Sequence, residues 1–315
     1  MGRLTSAQWA QDSTCANHFQ EQYVYTALGQ VTQKRFSMAN GNSSYVNIDG
    51  GVGYDLEGRV TNYQTSVTQG QLDTAYNYQR DGLGRLTGLT WGANTLVSNV
   101  VYGAAGQLQQ MVYNDTSIGG GFTETRTYNT NLQLTQIAAT PTSGTGMNLQ
   151  YQYGAAGTAN NGRVTQVTDL VSGEQVTYQY DSLNRLTQAT TTDTTQWGLS
   201  FQYDGFGNLT GQPRTQGTTA PSFTGTIDPT TNRRLDTGYQ YDTNGNVTNM
   251  PDGTAYSYDV ANRLINRQLP NDTAYDLNNR RVWDGSRISY YGPNGQLLAK
   301  YQPSFGGSSN FHGRA

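Results

Sequence analysis

The octapeptide Tyr-Asp-Ser-Leu-Asn-Arg-Leu-Thr at residues 180–187 recurs in edited form along almost the whole chain, and this repetition constrains the fold more than any other feature. Close copies begin at Tyr54, Tyr203, Tyr241 and Tyr258, and looser ones at Tyr25, Arg80, Tyr102, Tyr128, Tyr153, Tyr275 and Tyr291, making twelve in all. Repetition at a short period marks an architecture whose units bury their faces only against their neighbours. From Tyr25 to Tyr203 successive copies start 29, 26, 22, 26, 25, 27 and 23 residues apart, the rhythm of one β-hairpin per repeat.

Each slot of the motif has its own physical reason. Before it, Val176-Thr177-Tyr178-Gln179-Tyr180 alternates apolar or aromatic with polar residues, the period of a strand. Asp181 then opens a turn, where its carboxylate is expected to accept a bond from the backbone two residues on. The fourth turn position holds Gly58, Gly84, Gly106, Asn184, Gly207, Gly245, Asn262, Asn279 and Gly295. Gly and Asn tolerate positive φ, so the slot is expected to lie in the left-handed region, as in a type I turn closed by a G1 bulge. The copy at Tyr128 has Leu132 there with Asn131 beside it, and its turn is expected to shift by one residue. Arg185-Leu186-Thr187 begins the return strand. Leu186 should share the buried face with the tyrosine opposite, while Arg185 points away or lies flat along neighbouring tyrosine rings.

The motif positions expected to carry the structure are Tyr54, Asp55, Gly58 and Arg59; Tyr180, Asp181, Asn184 and Arg185; Tyr203, Asp204 and Gly207; Tyr241, Asp242 and Gly245; and Tyr258, Asp259, Asn262 and Arg263. A 25-residue repeat leaves about eight residues per strand, or roughly 27 Å. From Tyr241 to Tyr291 the spacing falls to 17, 17 and 16, which leaves strands of about four or five residues and a narrowing sheet.

Residues 1–20 read as an incomplete first repeat and lead-in, 21–300 as the repeat array, and 301–315 as a tail or linker. The opening Gly2-Arg3-Leu4-Thr5 looks like the second half of a repeat, as expected of a segment of a longer polypeptide. Residues 6–24 are placed as a strand pair or an irregular lead-in. Between Tyr203 and Tyr241 the rhythm is interrupted by Pro213, Pro221 and Pro229, and Asn232-Arg233-Arg234-Leu235 reads as a degenerate copy.

Composition agrees with an all-β class: 34% hydrophobic and 13% charged residues, with 23 Tyr and 38 Gly. The net charge of -3 offers no basic surface, so nucleic acid is not an expected partner. Lys34 and Lys300 are the only lysines, and Cys15 the only cysteine, which excludes an intrachain disulfide framework. No apolar run is long enough for a membrane-spanning helix, and Met1-Gly2-Arg3-Leu4-Thr5 lack the basic and apolar regions of a signal peptide.

The copies at 54–61, 180–187, 203–210 and 241–248 resemble the YD repeats of the RHS repeat family. That family includes bacterial polymorphic toxins, the cocoon-forming component of insecticidal toxin complexes and the extracellular part of teneurins. The resemblance covers roughly residues 20 to 300 and implies a long antiparallel sheet that spirals into a hollow shell or barrel, often enclosing the polypeptide that follows. Residues 290–299 look like the last repeat before the family's core domain, whose aspartyl self-cleavage activity carries over to no residue here.

Residues with catalytic potential have simpler readings. A triad around Cys15 and His18 is set aside, with His312 nearly 300 residues distant. Asp55, Asp181, Asp204, Asp242, Asp259 and Asp276 repeat one turn position, so capping accounts for them without glycosidase pairing. Asn244-Gly245-Asn246 has too few acidic ligands for Ca²⁺. Gly50-Gly51-Val52-Gly53 and Gly119-Gly120-Gly121 lack the lysine and helix of a phosphate loop. Asn42, Asn114, Asn208, Asn246 and Asn271 match the glycosylation pattern, as a Thr-rich chain does by chance.

The expected function is therefore non-enzymatic, with no cofactor and no metal: a wall that encloses cargo or presents an adhesive surface, in a large secreted or surface protein of bacterial type. The expected partners are an enclosed C-terminal polypeptide or other copies of the chain. Two alternatives stand beside this reading: a carbohydrate-binding module using exposed Tyr and Trp to stack on glycans, and a filament subunit joined through open strand edges.

Overall fold

The structure, a computed structural model, describes residues 3–10, 17–40, 44–66, 75–114, 120–154, 160–267 and 273–302. Cys15, His312, Asn42, Asn271, Gly119, the first two residues and the tail from 303 lie outside the described residues. Among those described there is no helix, and the strands pair antiparallel, mostly each with the next in sequence. The expected all-β hairpin array is what the chain forms.

The chain divides into two compact units, one of residues 1–78, 90–93 and 237–315, the other of residues 79–89 and 94–236. In the second, the strands Asn94–Tyr102, Leu108–Tyr113, Phe122–Tyr128, Leu134–Pro141, Met147–Tyr153, Val164–Asp169, Gln175–Tyr180 and Leu186–Thr191 pair in chain order. Their register puts Gln and Thr on one face, as in Gln152 opposite Gln166 and Gln179 opposite Gln188, and apolar residues on the other, as in Tyr151 opposite Val167 and Tyr178 opposite Ala189. The period of two in the sequence is thus the two-sidedness of the sheet.

In the first unit the same arrangement is covered on its apolar face. Ser6–Ala10 pairs with Asn17–Tyr25, so the described part of residues 6–24 is a strand pair. Val31–Asn40, Ser44–Tyr54 and Val60–Ser66 follow, and Phe19, Phe36, Met38 and Ile48 from these strands are at most 2% exposed. They are buried by a four-stranded sheet of Ala274–Tyr275, Arg281–Trp283, Ile288–Tyr291 and Leu297–Tyr301, which contributes Val282, Trp283, Ile288, Tyr290 and Tyr301 to one core. The strands from Gln240 to Tyr301 are two to five residues long, at or below the expected length, because much of each short repeat is spent on its turn.

Two charges lie inside this core. Lys34 Nζ is 2.6 Å from Glu21 Oε1, with both side chains almost wholly buried. Burial pushes the Lys34 amine below its ordinary pKa while Glu21 holds it up. Tyr23 donates its hydroxyl to Glu21 Oε2, and Lys34 donates to the carbonyl of Tyr291 at 3.1 Å. Tyr290 in turn donates to the carbonyl of Lys34 at 2.9 Å. That last bond needs Gly50, since a Cβ there would stand 2.0 Å from the Tyr290 hydroxyl. Gly50→Ala is therefore expected to force Tyr290 out of its seat and destabilise the fold by about 1–3 kcal/mol, as overpacked cores do. Urea unfolding followed by tryptophan fluorescence would check this, with Gly82→Ala, whose Cβ meets nothing within 4 Å, as the neutral control.

Candidate functional site: the ladder of tyrosine–aspartate turns

The most organised polar chemistry in the molecule is the turn itself. At Asp181 one carboxylate oxygen accepts the backbone N–H groups of Leu183 and Arg185, both at 2.9 Å, and the other accepts Arg185 Nε at 2.7 Å. The backbone closes with Asn184 N–H to Asp181 O at 3.1 Å and Asp181 N–H to Arg185 O at 3.0 Å. Asn184 has φ 65°, and the strand register slips between Gln179 and Tyr180, so a type I turn followed by a G1 bulge is formed. The positive φ recurs at Gly58, Gly84, Gly106, Gly207, Gly245, Asn262, Asn279 and Gly295, and the slip recurs just before Tyr54, Tyr203, Tyr241, Tyr258, Tyr275 and Tyr291.

The turn at Tyr128 corrects the sequence-based expectation. It is not shifted: Leu132 itself adopts φ 60°, its N–H bonds to Asn129 O at 3.0 Å, and the slip falls between Thr127 and Tyr128 as elsewhere. Asn129 replaces the aspartate and caps the N–H groups of Asn131 and Gln133. The side-chain cap and the bulge together outweigh the cost of a leucine in the left-handed region, about 1–2 kcal/mol. The degenerate copy near Asn232 is a looser turn, in which the Asn232 N–H reaches Asp228 O at 2.8 Å and Asn232 has φ 56°.

The ion pair between aspartate and arginine four residues on was not foreseen, although the fixed spacing signals it. It closes Asp55–Arg59 at 2.7 Å, Asp81–Arg85 at 2.8 Å, Asp259–Arg263 at 2.6 Å and Asp276–Arg280 at 2.6 Å. Where the sequence has Asn, the amide takes the same place: Asn208 donates to Asp204 at 2.8 Å and Asn246 to Asp242 at 2.9 Å.

Successive turns are also tied to each other. Tyr180 donates its hydroxyl to Val164 O at 2.8 Å, Tyr203 to Leu186 O at 2.8 Å, Tyr258 to Val247 O at 2.9 Å and Tyr54 to Val31 O at 2.9 Å. The acceptor is each time the first residue of the preceding return strand. The arginine just before that acceptor covers the same tyrosine ring: Arg185 lies 4.7 Å from the Tyr203 centroid and Arg163 5.4 Å from that of Tyr180. Tyr102 donates to Leu86 O at 2.7 Å beneath Arg85, 4.6 Å from its ring, and Arg263 lies 5.2 Å from the Tyr275 ring. Tyr241 belongs to the same slot in a two-stranded sheet with Val247–Asn249.

This geometry decides what the motif can do chemically. Each carboxylate is fully engaged within its own turn, so the aspartates do not converge as an acid–base pair. At Asn244-Gly245-Asn246 the two side-chain amides donate to Asn262 Oδ1 at 3.0 and 2.9 Å, an arrangement that presents N–H groups where a cation needs oxygens. Among the described residues no cluster of three or more His, Cys, Asp or Glu side chains is placed to bind a metal ion. His18 is exposed on the strand Asn17–Tyr25, opposite Ala39.

Comparisons with known proteins agree with this picture. The family described as RHS Repeat matches residues 160–196, the span of the Asp181 turn and its flanking strands, so the resemblance read from the motif holds. No curated protein matches the chain. A structure of the Photorhabdus luminescens Tc holotoxin pore with a mutant TccC3 aligns over 92% of this chain and 16% of its own, with 17% identity and a TM-score of 0.64. The crystal structure of TcdB2-TccC3-Cdc42 aligns over 91% of this chain and 16% of its own, with 17% identity and a TM-score of 0.63. At that identity the likeness is one of fold, and the chain spans only 16% of those chains' length.

Two predictions follow from the turns. Leu132→Gly should stabilise the protein by about 0.5–1 kcal/mol in urea titrations, because glycine relieves the left-handed strain and the leucine is half exposed. The capping aspartates also set a pH dependence. The Arg85 side chain holds Asp81 below the ordinary carboxylate range, the Arg185 backbone N–H does so for Asp181, and the Thr230 N–H lowers Asp228 to about 2. Depressed values mean that their stabilisation is fully present above about pH 4 and is lost as pH falls through the folded values. The urea midpoint should therefore drop between pH 4 and pH 2, and Asp181→Asn combined with Asp81→Asn should flatten that drop.

Proposed function

We propose that this RHS-repeat chain is a non-enzymatic wall segment of a larger secreted or surface-displayed protein, and that the wall encloses a polypeptide. The observation that carries the reading is the fate of the motif. The bonds of its tyrosines, aspartates and arginines go to closing one hairpin or fastening it to the next. The structural role of the repeat follows from that, and the product of the repeat is area of sheet. The fold shared with Tc toxin structures supports enclosure as the use of that area. The two-sided sheet supports it too, since a polar Gln/Thr face suits water and an apolar face suits a sheltered chain. Glycan stacking finds less support: Tyr102, Tyr203 and Tyr275 already carry an arginine over one ring face.

Circular dichroism and limited proteolysis test the wall. A strand-dominated spectrum and a few large resistant fragments are expected; substantial helix or rapid reduction to small peptides would overturn it. Enclosure is tested separately, by producing the chain with the polypeptide encoded next to it. Protease should spare that polypeptide until the sheet is unfolded. Cleavage as fast in the native as in the denatured protein would reject enclosure while leaving the wall intact.

A further inference from the structure

We propose that the hairpin tips of each unit form an apolar edge, and that each such edge adsorbs to the surface of a zwitterionic lipid bilayer. The tips carry aliphatic or aromatic side chains in eight turns: Leu28, Leu56, Leu83, Leu132, Leu183, Phe206, Val260 and Leu277. These are among the most exposed apolar groups described, with Leu56 and Val260 fully in solvent, Leu28 at 86% and Phe206 at 79%. Isolated exposed leucines are ordinary. Here they recur at the crest of one turn type, capped by the Asp, Asn or Thr side chain at its entry; most residues are tolerated at the two central positions, and only Leu132 occupies the left-handed corner.

The crests are held in line by the bonds between turns. Leu28 and Leu56 stand on consecutive turns tied by the Tyr54 hydroxyl, and Leu183 and Phe206 on turns tied by the Tyr203 hydroxyl. Val260 and Leu277 stand on turns joined by Arg263 Nη1 to Asn279 Oδ1 at 3.2 Å. Consecutive tips are thus two strand spacings apart, about 10 Å.

Charge and area select the occupant. The aspartate–arginine pair cancels within the turns at Leu83, Leu183, Val260 and Leu277, and the turn at Leu56 carries one further carboxylate, Glu57, on the same arginine, so none of these crests draws an anionic headgroup. In the second unit the four tips Leu83, Leu132, Leu183 and Phe206 are 53–79% exposed, and four such side chains fall short of the ~800 Å² that a stable protein interface needs from each partner. Separate convex tips offer no groove for a protein to fill. Insertion into a lipid interface needs no such complementarity, because each buried side chain contributes on its own.

The test is flotation of the full chain with phosphatidylcholine vesicles. The wild type should co-float, with little change between 50 and 500 mM salt on the order of a Debye-length contrast. The combined variant Leu56→Ser, Leu183→Ser, Phe206→Ser should reduce the floated fraction at least about tenfold, with an unchanged circular dichroism spectrum because these side chains are exposed. Phe206→Trp should add a blue-shifted emission component when vesicles are present. Failure of the folded wild type to float, equal flotation of the triple variant, or binding restricted to anionic vesicles would overturn the proposal. So would self-association that the triple variant abolishes without any vesicle binding, which would mark the tips as a protein contact. None of these outcomes bears on the wall reading, which strand content and protease resistance test independently.

Discussion

The bond from a motif tyrosine's hydroxyl to the carbonyl that opens the preceding return strand, made by Tyr54, Tyr102, Tyr128, Tyr153, Tyr180, Tyr203, Tyr258 and Tyr291, is what the rest of the array depends on. A hairpin ladder holds two strands together but leaves the turn ends free to splay. The bulge before each tyrosine turns the side chain along the sheet edge, and the left-handed residue three positions after the aspartate makes the bulge possible. Only then does the hydroxyl of Tyr203 reach Leu186 O, under the guanidinium of Arg185. One such bond is worth about 1 kcal/mol and the ring contact a similar amount. Repetition along the edge makes the sum large, in the manner of arrays whose stability is a sum of neighbour terms.

The two units meet the cost of an exposed apolar face differently. In the second, Ile137, Leu149, Tyr151 and Val167 remain half-buried on a sheet face. In the first, the equivalent face carries a second sheet and closes over Phe19, Phe36 and Ile48. The closure takes Glu21 and Lys34 out of water as a pair. Removing either partner alone would leave a buried charge, a change that costs about 3–5 kcal/mol in comparable sites. The docked strands meet the pair directly, the Tyr290 hydroxyl donating to the Lys34 carbonyl and the Lys34 amine to the carbonyl of Tyr291.

The sequence made the hairpins legible because their determinants are local. Asp at the turn entry, Gly or Asn at its corner and alternation before it all act within eight residues, and the backbone follows them. Leu132 misled because residue preference was read as a requirement; the corner is set by the capping side chain and the bulge, and Asn129 still supplies the cap. The Asp–Arg pair was visible in the spacing but was passed over in favour of ring stacking, and the structure has both. The docking of Tyr290 against Gly50 was out of reach, since the two are 240 positions apart and a glycine in a strand signals only that something approaches closely. Lys34 was a faint clue: in a chain with two lysines, one in the middle of an alternating strand has a reason to be there.

The copies that begin with tyrosine carry both halves of the coupling, an outgoing hydroxyl on the tyrosine and an incoming carbonyl after the arginine slot, as at Tyr180 and Tyr203. A duplicated or deleted hairpin therefore leaves no dangling partner at the junction, since the flanking turns find the same donor and acceptor at the same pitch. Array length can then change by whole hairpins without unsatisfied groups at the new junction. The spacing of 22 to 29 residues, falling to 16 and 17, is the same joint set between strands of different length.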